Sequence, residues 1–292
     1  MRRERPRPRK RAPARAAYIP GMLALLLALT AQSPDLTVTT FNIRYGTAAD
    51  GENRWALRRQ LALEVLRAQD ADIVGLQEAL RFQLDEIGRA FPEYGELGVG
   101  RDDGETLGEY AAILYRRERL AVSEHGTFWL SPTPSVVASA GWGNRITRIC
   151  TWARFTDRAS GRSFYVLNMH FDHESQPSRE RAAELVSRRI RVRAPRDPVV
   201  VLGDFNAGED NPARRHLLAA ASLRDAIRVV HPDATEVGTF NGFDGIRTGE
   251  MIDAILIAPE WDVSDAWIDR TARDGRYPSD HFPVTARLRL SR

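Results

Sequence analysis

Cysteine and lysine are almost absent from this 292-residue chain, and both absences exclude kinds of chemistry. Cys150 is the single cysteine, so the chain forms no intramolecular disulfide and offers no thiolate cluster to a zinc ion. Lys10 is the single lysine and lies near the N terminus, so residues 34–292 have no amine for Schiff-base or amine-nucleophile catalysis. Stability must therefore come from an apolar core.

The chain also has no apolar run long enough to be a clear membrane span. Residues 21–29 provide about half of the roughly 20 apolar residues that a spanning helix needs. An arginine-rich segment precedes them and small and polar residues follow, which is the pattern of a secretory leader. We predict a signal peptide over residues 1–33, an exported protein and one domain over residues 34–292. A membrane tether through an uncleaved leader is the lesser option.

The basic character of the chain comes from the same N-terminal segment. Residues 1–33 contribute +7 to the net charge of +3, so residues 34–292 carry −4. A mildly acidic body argues against a broad surface for binding nucleic-acid phosphates, and the loops lack the basic and aromatic clusters that single-strand binders use. Polynucleotide specificity is therefore not favoured.

Apolar runs and amphipathic stretches alternate along the body of the chain and predict its elements. Strands are predicted over residues 36–43, 73–76, 111–115, 128–130, 149–155, 164–168, 199–202, 251–257 and 284–290. Helices are predicted over residues 55–68, 79–91, 178–192 and 212–221. The first helix should bury Trp55, Leu61, Val65 and Leu66. This order predicts a mixed α/β (α+β) domain.

Acidic, amide and imidazole side chains stand where the apolar strands end, which is where sheet folds place ligands and catalytic groups. These residues are Asn42, Glu78, His170, Asp204, Asn206, Asp253, Asp280 and His281. Oxygen ligands with two histidines and no thiolate suit Mg²⁺ or Mn²⁺ together with a water-activating base. The set therefore fits the site of a phosphoester hydrolase and fits a structural zinc site poorly.

Each of these residues also has an ordinary structural interpretation. Asn42 and Asp204 are typical of turns after strands, Glu78 of a first helical turn, and His281 of a hydrogen-bonded core histidine. Asp253 is harder to explain, because it lies in an apolar strand where an unpaired carboxylate is costly to bury. His281 or a metal would supply its partner.

Six segments containing these residues form an ordered set of motifs. They are Thr40-Phe41-Asn42-Ile43-Arg44, Leu76-Gln77-Glu78, Asn168-Met169-His170, Gly203-Asp204-Phe205-Asn206, Ile252-Asp253 and Ser279-Asp280-His281-Phe282-Pro283-Val284. Over residues 35–290 the chain thereby resembles the endonuclease/exonuclease/phosphatase superfamily of DNase I-like, metal-dependent phosphoesterases. The resemblance implies a four-layer α/β sandwich, with two packed mixed β-sheets flanked by helices. It also implies hydrolysis of a phosphodiester or phosphomonoester by metal-activated water with Mg²⁺ or Mn²⁺.

The resemblance further implies a role for each matched residue. The metal ligands would be Asn42, Glu78 and Asp280. The catalytic residues would be His170, Asp204, Asn206, Asp253 and His281. Among these, Asp204 would orient or deprotonate the attacking water, Asn206 would hold water or phosphate, and His170 would donate to the phosphate or leaving group. His281, oriented by Asp253, would stabilise the transition-state charge.

Substrate contacts are predicted at the rim of the site. The candidates are Glu109, Tyr110, Arg148, Asp172 and His173. Rim loops differ among nucleases, sugar phosphatases and phospholipid hydrolases that share one catalytic core, so a nucleic acid, a sugar phosphate and a phospholipid head group all remain open as substrates. We expect a monomer with no stable membrane span.

Two other functions are considered. Residues 168–173 differ at one position from the His-x-His-x-Asp-His signature of metallo-β-lactamase-like zinc hydrolases, because Asn168 replaces the first histidine. That interpretation leaves Asp280 and His281 unexplained. A non-catalytic binding module on the same fold is the other alternative, and the completeness of the motif set argues against it.

Overall fold

The computed structural model describes Met1 and residues 35–291, so the predicted leader lies outside the described residues except for Met1. The strands are β1 (Leu36–Asn42), β2 (Ile73–Ala79), β3 (Tyr94–Leu97), β4 (Tyr110–Arg116), β5 (Leu120–Trp129), β6 (Ile149–Asp157), β7 (Ser163–His170), β8 (Val199–Asp204), β9 (Arg224–Asp225), β10 (Asp253–Ile257), β11 (Trp261–Ile268) and β12 (Val284–Leu290). The α-helices are α1 (Trp55–Gln69), α2 (Arg81–Ala90), α3 (Gln176–Val192), α4 (Pro212–Ala220) and α5 (Ala226–Val230).

The strands form two six-stranded sheets. Sheet 1 has the order β11-β12-β1-β2-β4-β3, and sheet 2 has the order β5-β6-β7-β8-β10-β9. Each sheet holds one parallel pair near its centre, β1 with β2 in sheet 1 and β7 with β8 in sheet 2. The remaining neighbours are antiparallel, so both sheets are mixed.

Apolar side chains on both faces of each sheet produce four layers. Phe41 and Leu76 of sheet 1 cluster with Leu66 and Ile87 from α1 and α2. Successive side chains of a strand point to opposite faces, so the neighbouring Val38 joins the larger cluster that holds sheet 2 and helices α3 and α4. The predicted mixed α/β sandwich is confirmed.

Two glycines leave no room for a side chain at close contacts in the sandwich. A methyl group at Gly75 of β2 would lie 1.8 Å from Leu202 Cδ1 of β8. Gly203 has φ +151°, and a methyl group there would lie 2.1 Å from the carbonyl oxygen of Met169 in the neighbouring β7. Glycine at position 203 thus brings β8 tightly against β7 directly before Asp204.

The elements predicted from long apolar runs are present, while short or irregular elements were missed. The predicted core residues of α1 are all buried: Trp55, Leu61, Val65 and Leu66. Strands β3, β9 and β11 and helix α5 were not predicted, and β5 begins eight residues before its predicted start. A register shift between Val263 and Asp265 interrupts the alternation of β11, which explains that omission. Among the described residues, no helix is long and apolar enough to cross a membrane.

Candidate active site

Strand register brings three of the predicted residues into one row at an end of sheet 2. His170 of β7 lies beside Asp204 of β8 in the parallel register, and Asp204 lies beside Asp253 of β10 in the antiparallel register. Asn42 ends β1 of sheet 1 and faces this row across the sandwich. The ends of both sheets therefore contribute to one site.

Asn42 connects the two sheets through its amide group. Its Nδ2 donates to Glu78 Oε1 and to Asp204 Oδ2, both at 3.0 Å, and its Oδ1 accepts from the backbone N–H of Arg44 at 3.0 Å. Glu78 Oε2 accepts from the backbone N–H of Tyr45 at 3.1 Å. Glu78 has φ +60°, an unfavourable backbone conformation for this residue type, and such conformations cluster at functional sites.

His281 and Asp253 form a buried hydrogen-bonded pair. His281 Nδ1 lies 2.8 Å from Asp253 Oδ2, and His281 Nε2 lies 3.9 Å from Asp204 Oδ2. Burial alone would lower the pKa of His281, but the charges of Asp253, Asp204 and Asp280 raise it well above the usual histidine range. The imidazolium form is therefore the stable form at neutral pH.

Asp204 occupies the centre of the site and is almost completely buried. Its Oδ1 accepts from the backbone N–H of Asn206 at 2.8 Å. Burial, followed by the charge of Asp253, raises the pKa of Asp204 to about 7, while His281 opposes the increase. A carboxylate with a pKa near neutrality is suited to accept a proton from water. Asn206 is held in turn by a bond from its Nδ2 to the carbonyl oxygen of Phe171, at 3.0 Å.

His170 lies on the other side of Asp204 in a cationic environment. Its Nε2 is 3.5 Å from Asp204 Oδ2, and Arg148 Nη1 lies 3.0 Å and 3.1 Å from its two ring nitrogens. Burial, followed by the charges of Arg148 and Arg101, lowers the pKa of His170 well below its usual range. His170 is therefore neutral at neutral pH.

The predicted rim residues take different positions. Arg148 Nη2 lies 2.7 Å from His173 Nδ1, and Arg101 makes a two-point ion pair with Glu109 at 2.6 and 2.8 Å. Asp172 is buried, and its Oδ1 accepts from the backbone N–H groups of residues 174 and 175 at 3.1 and 2.6 Å. The hydroxyl of Tyr110 donates to the carbonyl oxygen of Glu105 at 2.8 Å, and its ring packs with the sheet 1 cluster.

The site opens into a cleft of about 580 Å³. The predicted residues that line it are Glu78, Glu109, Arg148, His170, His173, Asp204, Asn206, Asp280 and His281. Asn42, Asp172 and Asp253 support these residues from behind, and Tyr110 lines a cavity of about 10 Å³ beside the Arg101–Glu109 pair. The structure therefore separates cleft-lining residues from the residues that position them.

The sequence of the chain matches a profile of the endonuclease/exonuclease/phosphatase family over residues 39–281. The chain belongs to this family. The family protein of Bacteroides vulgatus is 36% identical with a TM-score of 0.82, over 88% of this chain and 99% of that one. A mannosyl-6-phosphatase of Bacteroides thetaiotaomicron is 33% identical with a TM-score of 0.79, over 87% and 99%.

A curated relative is the uncharacterized protein L388 of Acanthamoeba polyphaga mimivirus, 28% identical over 164 residues. The match covers 53% of this chain and 60% of L388.

Membership of the endonuclease/exonuclease/phosphatase family supports a phosphoester hydrolase and overturns the zinc-hydrolase alternative. Asn168, which stands in place of the first histidine of the zinc-hydrolase signature, has a structural role instead. Its Nδ2 donates to the carbonyl oxygens of Leu76 and Ala112 in sheet 1, at 2.9 and 2.7 Å, so it joins the two sheets.

The family generally uses a divalent metal, and the cleft offers suitable donors. Glu78 and Asp280 are carboxylates that line the cleft, and burial together with the charge of Glu78 raises the pKa of Asp280. A bound cation would stabilise the charge of Asp280, which burial and the neighbouring carboxylate disfavour. Of these two carboxylates the Asn42 amide contacts only Glu78, through its NH₂ group, while its oxygen accepts from the backbone N–H of Arg44.

A second group with metal-binding geometry consists of Asp204, Asp253 and His281, each with one ligand atom within 4.8 Å of the others. Within this group Asp253 and His281 already hydrogen-bond each other. Asp253 also does not line the cleft, whereas Glu78 and Asp280 do. The pair that faces the cleft fits a divalent cation better.

Arg58 is a positioning residue that sequence reasoning missed. Its buried guanidinium donates to the carbonyl oxygens of Ile43 at 2.7 Å, Arg44 at 2.9 Å and Pro278 at 3.0 Å. It thereby fixes the chain that follows Asn42 to the chain that precedes Asp280. One signal was present in the sequence, because Arg58 lies three residues after Trp55 on the apolar face of α1, where a charged residue is unexpected.

Proposed function

We propose that this protein is a Mg²⁺- or Mn²⁺-dependent phosphoesterase whose preferred substrate is a phosphomonoester of a sugar. The observation that carries the proposal is the contact of the Asn42 amide with both Glu78 and Asp204. Through this contact the amide connects Glu78, a carboxylate suited to bind a hard cation, with Asp204, a carboxylate suited to accept a proton. Both carboxylates face the same cleft.

The residues of the chain divide the reaction between them. Asp204 accepts the proton of the water that attacks phosphorus, and Asn206 orients that water or a phosphate oxygen. His281, held as an imidazolium by Asp253, stabilises negative charge that develops on the phosphate. His170 contributes its ring N–H to the phosphate or the leaving oxygen, next to the cation of Arg148.

Glu78 and Asp280 would hold the divalent ion, with Asn42 positioning the Glu78 carboxylate. Such an ion polarises a phosphate oxygen and promotes ionisation of water. Arg44 lies 3.7 Å from Asp280 and makes two hydrogen bonds to Asp50. It therefore adds positive charge at this side of the cleft while it remains paired with Asp50.

The proposed substrate class depends on charge and on similarity. A phosphomonoester carries more negative charge than a diester, and Arg148, Arg101 and His173 line one wall of the cleft. The mannosyl-6-phosphatase of Bacteroides thetaiotaomicron is 33% identical over nearly the whole of both chains. The acidic body of the chain disfavours polynucleotides, which together with phospholipid head groups remain the alternatives.

A substrate and metal panel tests this proposal. The full chain and the Asp204→Asn variant are assayed with mannose 6-phosphate, p-nitrophenyl phosphate, bis-p-nitrophenyl phosphate, sphingomyelin, DNA and RNA. We expect hydrolysis of the monoesters by the native chain, loss of activity on chelation, and recovery with Mg²⁺ or Mn²⁺. Asp204→Asn should reduce kcat by about 10³-fold or more while the protein keeps its fold.

The other outcomes are equally informative. Recovery only with Zn²⁺ would contradict the metal assignment. No turnover by the native chain on any substrate would leave the non-catalytic module as the better description, and equal turnover by the native chain and Asp204→Asn would remove Asp204 from catalysis. Faster turnover of the diester or of nucleic acid would replace the proposed substrate class.

Export of the protein through residues 1–33 and a monomeric state are part of the same proposal. A periplasmic or culture fraction containing a chain shortened by about 33 residues would support export. Size-exclusion chromatography with light scattering measures the oligomeric state.

A further inference from the structure

A second cavity lies on the outer face of sheet 2, away from the catalytic cleft. It has a volume of about 250 Å³ and is lined by strands β5, β6 and β7 and the C-terminal end of α3. Drug-sized ligand sites usually occupy about 300–1,000 Å³, so this cavity has the size for a single small ring. Trp152, Tyr165 and Phe128 give it an aromatic lining.

The floor of the cavity is the indole of Trp152. Trp152 pairs with Gly126 across β5 and β6, and a methyl group at position 126 would lie 3.2 Å from the indole Nε1 and 3.5 Å from Cε2. The absent side chain of Gly126 allows the indole to lie over the backbone of β5. Trp152 remains partly exposed, and its centroid is 6.2 Å from that of the Tyr165 ring.

Charged groups of both signs surround this aromatic floor. The guanidinium of Arg189 lies 4.1 Å above the ring centroid of Phe128, and that of Arg193 lies 5.9 Å from the centroid of Tyr165. Arg193 is fixed by a bond from its Nε to the carbonyl oxygen of Asp197 at 3.0 Å. Glu124 is exposed at the same rim, so both donors and acceptors are present.

We infer that this cavity binds one pyranose ring of a neutral oligosaccharide, with Trp152 as the stacking platform. A pyranose has an apolar C–H face that packs on an aromatic ring and a perimeter of hydroxyls that needs both donors and acceptors. An apolar peptide would need a longer groove and would leave Glu124 and Arg189 beside an apolar surface. The cavity and its mixed charges favour the sugar.

The inference rests on the proposed function for its biological meaning. Leu167 lines this cavity, and His170, three positions further along β7, lines the cleft, so the two backbone positions are about 10 Å apart along the strand. A site for neutral sugar at that distance fits an enzyme that removes phosphate from a glycan rather than from a free sugar phosphate. The phosphate-free part of the glycan would then be bound separately from the reacting group.

Electrophoresis of the full chain in native gels containing α-mannan, dextran or β-glucan tests the site. At least one polysaccharide should retard the native protein relative to a gel without polysaccharide. Trp152→Ala should weaken binding about tenfold and restore free mobility, while Trp152→Phe should retain partial retardation. His125→Ala is the matched control, because His125 is exposed on the same strand pair and alternates to the other face.

Hydrolysis does not enter this measurement. The gels contain phosphate-free polysaccharides, and the electrophoresis is repeated with Asp204→Asn in the presence of a chelator. Retardation of this variant should persist. Trp152→Ala should hydrolyse p-nitrophenyl phosphate at the native rate, which also shows that it folds. Failure of native protein to be retarded in all three gels, or equal retardation of Trp152→Ala, would overturn the site and leave the phosphoesterase proposal unaffected.

Discussion

The two sides of the candidate active-site cleft each contain a histidine, and the two histidines lie in opposite electrostatic environments. His281 contacts Asp253 and faces Asp204, and these acids raise its pKa. His170 contacts Arg148, and burial together with that cation lowers its pKa. Both rings are almost fully buried, and both lie within 4 Å of the same Asp204 oxygen. Burial therefore does not distinguish them, and the sign of the neighbouring charge does.

This difference indicates a division of labour around Asp204. The His281 side presents a fixed cation, which is suited to stabilise charge that develops in the transition state. The His170 side presents a neutral ring beside a guanidinium, which is suited to bind a dianionic phosphate. The two sides should therefore respond differently to substitution, with the larger loss of kcat on the His281 side and the larger increase in KM, through Arg148, on the His170 side.

The largest effect is expected on the His281 side. His281→Ala and Asp253→Asn should each reduce kcat by about 10³–10⁴-fold, because the carboxylate fixes both the orientation and the charge of the ring. The double variant should be no slower than the slower single variant, since the two residues act as a unit. Steady-state kinetics on p-nitrophenyl phosphate measures this, with circular dichroism as the control for folding. Multiplicative losses would show that the pair does not act together.

A smaller loss is expected from His170. His170→Ala should reduce kcat by about 10²-fold, because a positioned hydrogen-bond donor is lost while Asp204 and His281 remain. His170→Asn retains a hydrogen-bond donor and should recover part of this activity. The comparison between the two histidines fails if His170→Ala is as slow as His281→Ala under the same conditions.

Arg148→Gln should act mainly on substrate binding. We expect KM for a phosphomonoester to increase about tenfold and KM for a diester to increase less, because loss of a charge-assisted bond affects the dianion more. Arg145→Gln is the matched control, since Arg145 is exposed three residues earlier. Equal changes in KM for both ester types would remove Arg148 as the basis of monoester preference.

The smallest effect is expected from Phe240, whose half-exposed ring lies 5.2 Å from the His281 ring in an edge-on arrangement. Phe240→Leu should change kcat/KM about threefold, because one aromatic contact is lost and burial of His281 is largely retained. A loss approaching that of His281→Ala would mean that Phe240 controls the position of the imidazole. The ratio of kcat/KM values for native and variant protein decides between these outcomes.

Prediction from sequence succeeded where structure is local and periodic. The apolar run before Gly203 predicted β8, and the spacing of Trp55, Leu61 and Val65 predicted the buried face of α1. Elements with few residues or broken alternation, such as β3 and β11, carry too little of this signal. Arg58 was missed because a buried arginine is understood only through the distant carbonyl groups that it binds.

The sequence by itself determined the order of most elements, the residue types at the strand ends and, through six ordered motifs, the family. Only the tertiary structure decided that Asn42 joins Glu78 to Asp204, that Arg148 lies against His170, and that Trp152 lies open over Gly126. Periodicity and turn chemistry are properties of neighbouring residues, so they can be read along the chain. Charge states and cavities depend on groups that the register of two sheets brings together through space.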